Sequence, residues 1–373
     1  MSLVAMSASG TEAKEPVFTV PLFINGKEHH PEKTFDVVSP ATGKVAHRCG
    51  ASSVADAGAA VEAAAEAFKT WRKTTPTQRR DIFLKAAEIM NSRREELAGY
   101  MREETGAAKP WCDFNLNVAT DILKDIAGRI PTLEGSFPAM MDPDTSGIIM
   151  REPYGVVLSV APWNTPYILG TRSVAFPIAA GNTSVLKGTE AAPRTTFAIA
   201  SVFHEAGLPN GVLNVIIHEP SAGAAVTSAI IANPPRQEDQ LHGQYGCRAH
   251  HRGARWRESH ADADLQLAAD QCALGSFLHS GQICMGTERI LVHKVIKKEF
   301  VDKFRASVEK IFPSSAEAPT LINSASVDKN KKLVADATRK RASVIFGNAE
   351  AQEISNTRLQ PIAVDNMTPE MDL

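Results

Sequence analysis

GVVLSVAPWN (residues 155–164), RSVAFPIAAGN (172–182) and TSVLKGTE (183–190) together decide the fold. The first is a short β-branched run that enters a proline-containing turn. The second has helical texture and closes on Gly181-Asn182, and the third is another strand running into a turn. Outward toward the C-terminus, APRTTFAIASVFHEAGLPNG (192–211) predicts a helix ended by Gly207 and Pro209, and GVLNVIIH (211–218) a third strand. Strand, helix, strand, helix, strand with short turns predicts a parallel, doubly wound sheet. Such sheets bind ligands where strands end in loops, here at APWN and KGTE. No G-x-G-x-x-G stands in the chain, so the usual dinucleotide fingerprint gives no support.

Outward toward the N-terminus, LFINGKEHH (22–30) predicts a β-hairpin with Asn25-Gly26 as its two-residue turn. SSVADAGAAVEAAAEAFKTW (52–71) predicts an Ala-rich helix capped by Ser52 or Ser53. Thr77 to Arg102 predicts one or two amphipathic helices, and a further helix follows Lys109-Pro110. Beyond residue 261 the sequence predicts a helix, a glycine-containing turn, a strand at ILVHK (290–294) and another helix.

At 373 residues the chain has room for two domains and a large core. A net charge of −2 and a pI near 6.6 argue against nucleic acid or acidic membranes as partners. Residues 1–17 lack an apolar leader segment and no later run reaches membrane-span length, so a cytoplasmic protein is expected. Five scattered cysteines fit reduced thiols better than a disulfide framework.

Three sets of residues could carry chemistry. Cys284, in FLHSGQICMGTERI, lies between a glycine turn and a predicted strand, where a thiol can face a cleft. On its own a cysteine there is more often a buried structural one. Asn164 follows a strand in a turn stiffened by Pro162 and Pro166, which suits an oxyanion donor, although asparagine in a turn is usually turn chemistry. Lys187 and Glu190 close the next strand and could hold two ribose hydroxyls, or form a solvated ion pair.

APWN, AAGN, LKGTE, GLPNGVLNV and FLHSGQIC occur in this order at the strand ends of one α/β pattern. In this the chain resembles the NAD(P)-dependent aldehyde dehydrogenase superfamily, from about Phe23 to Leu373. The match is most specific at Phe277, Gly281, Gln282 and Cys284, and most similar to members acting on aromatic aldehydes such as vanillin and salicylaldehyde. The resemblance implies a Rossmann-like NAD-binding domain with N-terminal helices over 17–235 and an incomplete α/β catalytic domain over 262–373. It implies Cys284 as nucleophile, with Asn164 and the Cys284 backbone N–H as oxyanion donors. Lys187 and Glu190 would hold the adenosine ribose, and Pro162 and Trp163 would border the cofactor. Trp163 and Tyr167 would line a substrate tunnel or pack. Glu190 would favour NAD over NADP by repelling a 2′-phosphate. The expected partner is a small-molecule aldehyde, with no metal, and the family is usually homo-oligomeric. A cofactor-free thiol hydrolase would leave the Lys187–Glu190 pair without purpose.

One stretch departs from this pattern. EDQLHGQYGCRAHHRGARWRESH (238–260) holds four of the eleven histidines and no valine, isoleucine or phenylalanine. Cys247-x-x-His250 lacks a second ligand pair at zinc spacing. A basic nucleic-acid arm does not fit the overall charge. The family expects a strand and a glycine turn here, resembling RKINFTGSTAVGRIIA. Read one base out of step, the printed codons permit that sequence. Gln237 and Glu238 give Lys or Arg, Asp239 gives Ile or Thr, and Gln240 gives Asn or Ser. Leu241 can give Phe, His242 gives Thr or Met, and Gly243 can give Gly. Residues 236–261 are therefore expected to be an out-of-frame insert. The resemblance also places the family's general-base glutamate between this stretch and Cys284, where no position matches it. Glu258 does not inherit that role. The chain ends where the family's E-x-F-G-P motif would follow. The expected alternative to an active dehydrogenase is thus a catalytically impaired chain that at most binds nucleotide.

Overall fold

The computed structural model describes residues 18–232, 242–243, 264–348 and 356–372. The chain opens with β1 (Thr19–Val20), β2 (Leu22–Ile24), β3 (Lys27–His29), β4 (Thr34–Val38) and β5 (Val45–Gly50). Asn25 and Gly26 both take positive φ, 53° and 73°, as a two-residue hairpin turn between β2 and β3 requires. Four helices follow: α1 (Val54–Trp71), α2 (Pro76–Ser92), α3 (Arg94–Thr105) and α4 (Lys109–Arg129). Ser53 caps α1 in a reciprocal box with Asp56, settling the choice between Ser52 and Ser53. Ser52 instead gives its hydroxyl to the Ile217 carbonyl at 2.8 Å.

The expected alternation then appears as β6 (Val156–Val160), α5 (Pro166–Ala179), β7 (Thr183–Lys187), α6 (Pro193–Glu205), β8 (Leu213–Ile216) and α7 (Gly223–Ala232). A short β9 (His242–Gly243) follows. The C-terminal region adds α8 (Leu265–Phe277), α9 (Lys297–Ile311), α10 (Ser324–Arg339), β10 (Ser343–Phe346) and β11 (Ala363–Asp365).

The central sheet has the order β3-β2-β8-β7-β6-β9. β8, β7, β6 and β9 are parallel, as the sequence predicts. The N-terminal hairpin joins the same sheet antiparallel to β8, through Phe23 opposite Val215, so the complete sheet is mixed. β7 and β8 are buried on both faces because both are covered. Val156, Leu158, Val185 and Ile216 pack against Ala57, Ala60, Val61 and Ala64 of α1 and Val226 and Ile230 of α7. Leu186, Leu213 and Val215 join the larger core on the other face, which includes Tyr167, Phe203, Phe83 and Leu116. Hydroxyls within the strands are bonded: Ser159 donates to the Ser173 carbonyl at 2.7 Å, and Thr183 to that of Ala64 at 2.9 Å.

One expected element is absent from its place. ILVHK forms no strand. Ile290 and Val292 pack inward while Leu291 stays 73% exposed, so the strand alternation is present. No described strand pairs with it, and an unpaired extended segment has no ladder to join. The α10 helix and the antiparallel β10–β11 pair were not anticipated. The candidate zinc pair Cys247 and His250 lies outside the described residues, as does most of the 236–261 segment.

Candidate active site

The residues singled out by sequence lie on two supports. Pro162, Trp163 and Asn164 sit in the turn from β6 to α5, and Lys187 and Glu190 in the turn from β7 to α6. Both turns follow carboxyl ends of adjacent parallel strands, the edge where such sheets bind ligands. Gly188 makes the second turn possible. A Cβ there would stand 2.7 Å from Cγ2 of Thr196 and 3.0 Å from Cγ1 of Ile217, so only glycine lets the turn lie flat on α6.

Cys284 lies far along the chain on the loop after α8, and the fold brings that loop to Asn164. The Asn164 side-chain Nδ2 donates to the Gln282 carbonyl at 2.9 Å, and its own carbonyl accepts from Trp111 Nε1 at 3.1 Å. One Nδ2 proton is engaged by Gln282, which leaves the other to face a second acceptor. Cys284 is exposed, whereas Cys49, Cys112 and Cys272 are buried. Burial pushes the Cys112 thiol up to about 12 and raises those of Cys49 and Cys272. Among the described cysteines, Cys284 alone has solvent access, contrary to the structural-cysteine reading it invites in isolation.

The loop is held in an uncommon backbone. His279 and Ser280 have φ of 50° and 58°, and Gly281 follows at 71°. Two consecutive non-glycine residues in the left-handed region carry strain that surrounding contacts must offset. Gln282 supplies several of them. Its Nε2 donates to the carbonyls of His279 and Thr320 at 3.2 and 3.3 Å, and its Oε1 accepts from the Ile322 amide at 2.9 Å. Ser280 donates to the Thr320 carbonyl at 3.1 Å. The His279 ring stacks on Trp111 at 5.2 Å and tilts toward Trp163 at 6.4 Å. Burial drives the His279 pKa down to about 4, so the imidazole is neutral near pH 7 and lends no positive charge to the thiol.

Sequence reasoning missed Trp111 and His279 and recognised Gln282 only as part of a motif. No spacing signal points Trp111 at a turn 53 residues away. Tyr167 is fully buried and its hydroxyl donates to the Leu97 carbonyl at 2.7 Å, which makes it a packing residue and not a tunnel wall. Pro162 is exposed and Trp163 half-buried. Lys187 is half-buried, and burial lowers its pKa while Glu190 opposes the shift. No group of three or more potential metal ligands occurs among the described residues.

The family model described as "Aldehyde dehydrogenase family" matches residues 27–237 and 260–373. The chain belongs to the aldehyde dehydrogenase family. A vanillin dehydrogenase from Pseudomonas sp. (strain HR199 / DSM 7063) is 36% identical over 384 residues, covering 96% of this chain and 78% of that protein. A salicylaldehyde dehydrogenase from Pseudomonas putida is 32% identical over 352 residues, covering 87% and 72%. The crystal structure of a salicylaldehyde dehydrogenase from Pseudomonas putida G7 complexed with salicylaldehyde superposes with TM-score 0.82 at 28% identity, covering 95% of this chain and 77% of that one. The chain is therefore an oxidoreductase by family, one whose members oxidise aldehydes to carboxylic acids with a nicotinamide nucleotide, by a cysteine chemistry general to the family. The family match omits residues 238–259, inside the stretch that departs from the pattern in sequence. No described helix is long and apolar enough to cross a membrane.

Proposed function

We propose that this chain carries the site of an NAD-dependent dehydrogenase for aromatic aldehydes, with Cys284 as nucleophile. The observation that carries the reading is the Asn164–Gln282 hydrogen bond, which joins the β6 turn to the cysteine loop. Cys284 Sγ adds to the aldehyde carbon, and the carbonyl oxygen gains negative charge. The second Nδ2 proton of Asn164 and the Cys284 backbone N–H stabilise that charge. The adduct carbon would then give up hydride to a bound nicotinamide, leaving a thioester at Cys284, and water would hydrolyse that thioester to the carboxylic acid and free the thiol.

The donor set at β7 fits the cofactor. Lys187 offers ammonium donors and Glu190 a carboxylate acceptor at one strand end, a pairing suited to two vicinal ribose hydroxyls. Glu190 would repel a 2′-phosphate, which favours NAD over NADP. Pro162 and Trp163 would border the same nucleotide. The bound nicotinamide supplies the hydride acceptor. Substrates of the vanillin and salicylaldehyde type follow from the relatives, and the exposed Phe114 ring, stacked at 5.2 Å on the buried Trp111 that bonds Asn164, offers an aromatic surface near the turn.

A second reading rests on the unmatched residues 238–259. We propose that residues 236–261 are encoded one base out of step. The backbone of His242 and Gly243 lies parallel to Val157 and Leu158 on the edge of β6. This is a sheet position for the strand that the offset codons would spell. With that segment out of frame and no position matching the family's general-base glutamate, turnover by the printed chain is impaired. The test is NADH formation from benzaldehyde-type substrates. The printed chain is expected to give little, a frame-restored chain extended to the full length of its relatives robust turnover, and that full-length chain with Cys284→Ala none. Robust turnover by the printed chain, together with a transcript in frame as printed, would refute the second reading.

A further inference from the structure

Glu104, at the end of α3, is a buried carboxylate with every acceptor site in use. It accepts from the backbone N–H groups of Arg194 and Thr195 at 2.6 and 2.9 Å, from the Thr195 hydroxyl at 2.6 Å, and from His47 Nε2 at 3.0 Å. Glu104 is 1% exposed and His47 likewise 1%. The two amides belong to the first turn of α6, a helix whose N-cap is Ala192 and which has no side-chain cap of its own. Glu104 thus caps α6 from a helix 90 residues earlier, with its charge on the positive end of the helix dipole. That helix end is filled by the protein's own carboxylate, so a nucleotide phosphate cannot use it.

The capped turn is continuous with the Lys187–Glu190 turn. Within that turn Gly188 lies against Thr196, and local bonds are few: Gly188 N to the Ile216 carbonyl at 2.9 Å, Ala191 N to the Thr189 hydroxyl at 3.3 Å, and Ala192 N to the Thr189 carbonyl at 3.3 Å. The side chain of Arg194 is fixed from the same direction, lying over the Tyr100 ring at 4.0 Å. We infer that Glu104 is a positioning residue for nucleotide recognition: by clamping the start of α6 it sets the placement of Lys187 and Glu190, and so the selectivity of the chain for an intact adenosine ribose. This rests on the assignment of Lys187 and Glu190 to that ribose.

The experiment is equilibrium binding of NAD and its 2′-deoxyadenosine analogue to the full chain, read by tryptophan fluorescence, with melting temperatures measured alongside. Wild type is expected to prefer NAD by about tenfold, the scale of hydrogen bonds to charged groups. Glu104→Gln keeps the shape but removes the charge, and is expected to bring that preference close to unity. Thr195→Val, which removes one donor and keeps the carboxylate, is expected to reduce the preference less, and decides the matter if Glu104→Gln does not fold. Unchanged preference in these variants with a lowered melting temperature would overturn the inference and leave Glu104 a purely structural cap. Lys187→Ala separates the two failures. If it too leaves the preference unchanged, or if wild type binds neither nucleotide, the ribose assignment itself falls and takes the inference with it.

Discussion

The region 18–232 and the region 264–372 hold one half each of the proposed site, and they are built differently. Among the described residues, the twelve largest fully buried side chains all lie between Leu22 and Phe203. The largest buried cluster after residue 264 contains only Ala269, Cys272, Ala273, Phe300, Phe304 and Val308. Around it Met285, Leu291 and Val295 are 86%, 73% and 77% exposed. Asn164 thus stands on a two-sided sheet with a deep core, and Cys284 on a loop with thin support. Cysteine chemistry requires the two in register. Contacts at the junction include Asn164 to Gln282, His279 against Trp111 and Trp163, Leu278 and Ile283 against the larger core, and the Thr357 hydroxyl to the Pro40 carbonyl at 2.6 Å.

The sharpest way to break this comparison is to empty each core in turn. Phe83→Ala is expected to lower the unfolding free energy of the whole protein by about 3–5 kcal/mol. Phe304→Ala should loosen only 264–372, read as earlier limited proteolysis there with the main unfolding transition in place. Equal shifts of one common transition in both variants would make the regions a single cooperative unit.

Acid offers the next largest effect. His279 is neutral when folded, with its pKa near 4 against an ordinary value of 6.5. Between these values the unfolded chain binds more protons than the folded one. Stability is therefore full above pH 6.5 and falls as pH drops toward 4, by on the order of 3 kcal/mol at most. His279→Asn, which tolerates the left-handed backbone, should flatten that part of a stability-versus-pH curve. An unchanged slope would assign the acid sensitivity to other groups.

Gln282→Leu removes the bonds to His279, Thr320 and Ile322 and should destabilise the cysteine loop by about 1–3 kcal/mol. Faster alkylation of Cys284 by iodoacetamide, with the melting of 18–232 unchanged, is the expected readout. Smallest is Ser53→Ala, which loses the α1 capping box and should cost about 1 kcal/mol in the sheet region. It should leave Cys284 alkylation untouched, and a change there would show that the regions are more tightly coupled than their contacts indicate.

The sheet region was legible in sequence because its signals are local. Val156–Val160, Thr183–Lys187 and Leu213–Ile216 are short runs rich in Val, Leu and Ile, set off by Gly181, Gly207 and Pro209. Placement of the Asn25-Gly26 hairpin on the edge of β8 was not legible, since it rests on a long-range pairing of Phe23 with Val215. ILVHK misled for a related reason: alternation specifies an extended segment, while a strand also needs a partner. Cys284 and Asn164 could be picked out one by one. The residues that join or support the site, Trp111, His279 and Glu104, reach partners at least 53 positions away in the chain and leave no periodic trace.

The central claim is that the thiol on the thinly supported region reacts under the amide on the other. It is tested most directly by peptide mapping of the frame-restored, full-length chain, acid-quenched within a single turnover of vanillin and NAD. The account predicts an acyl adduct on Cys284, and formation slowed by about 100- to 1,000-fold in Asn164→Ala. NADH formed without an adduct on Cys284, or an adduct formed at the same rate in Asn164→Ala, would contradict it.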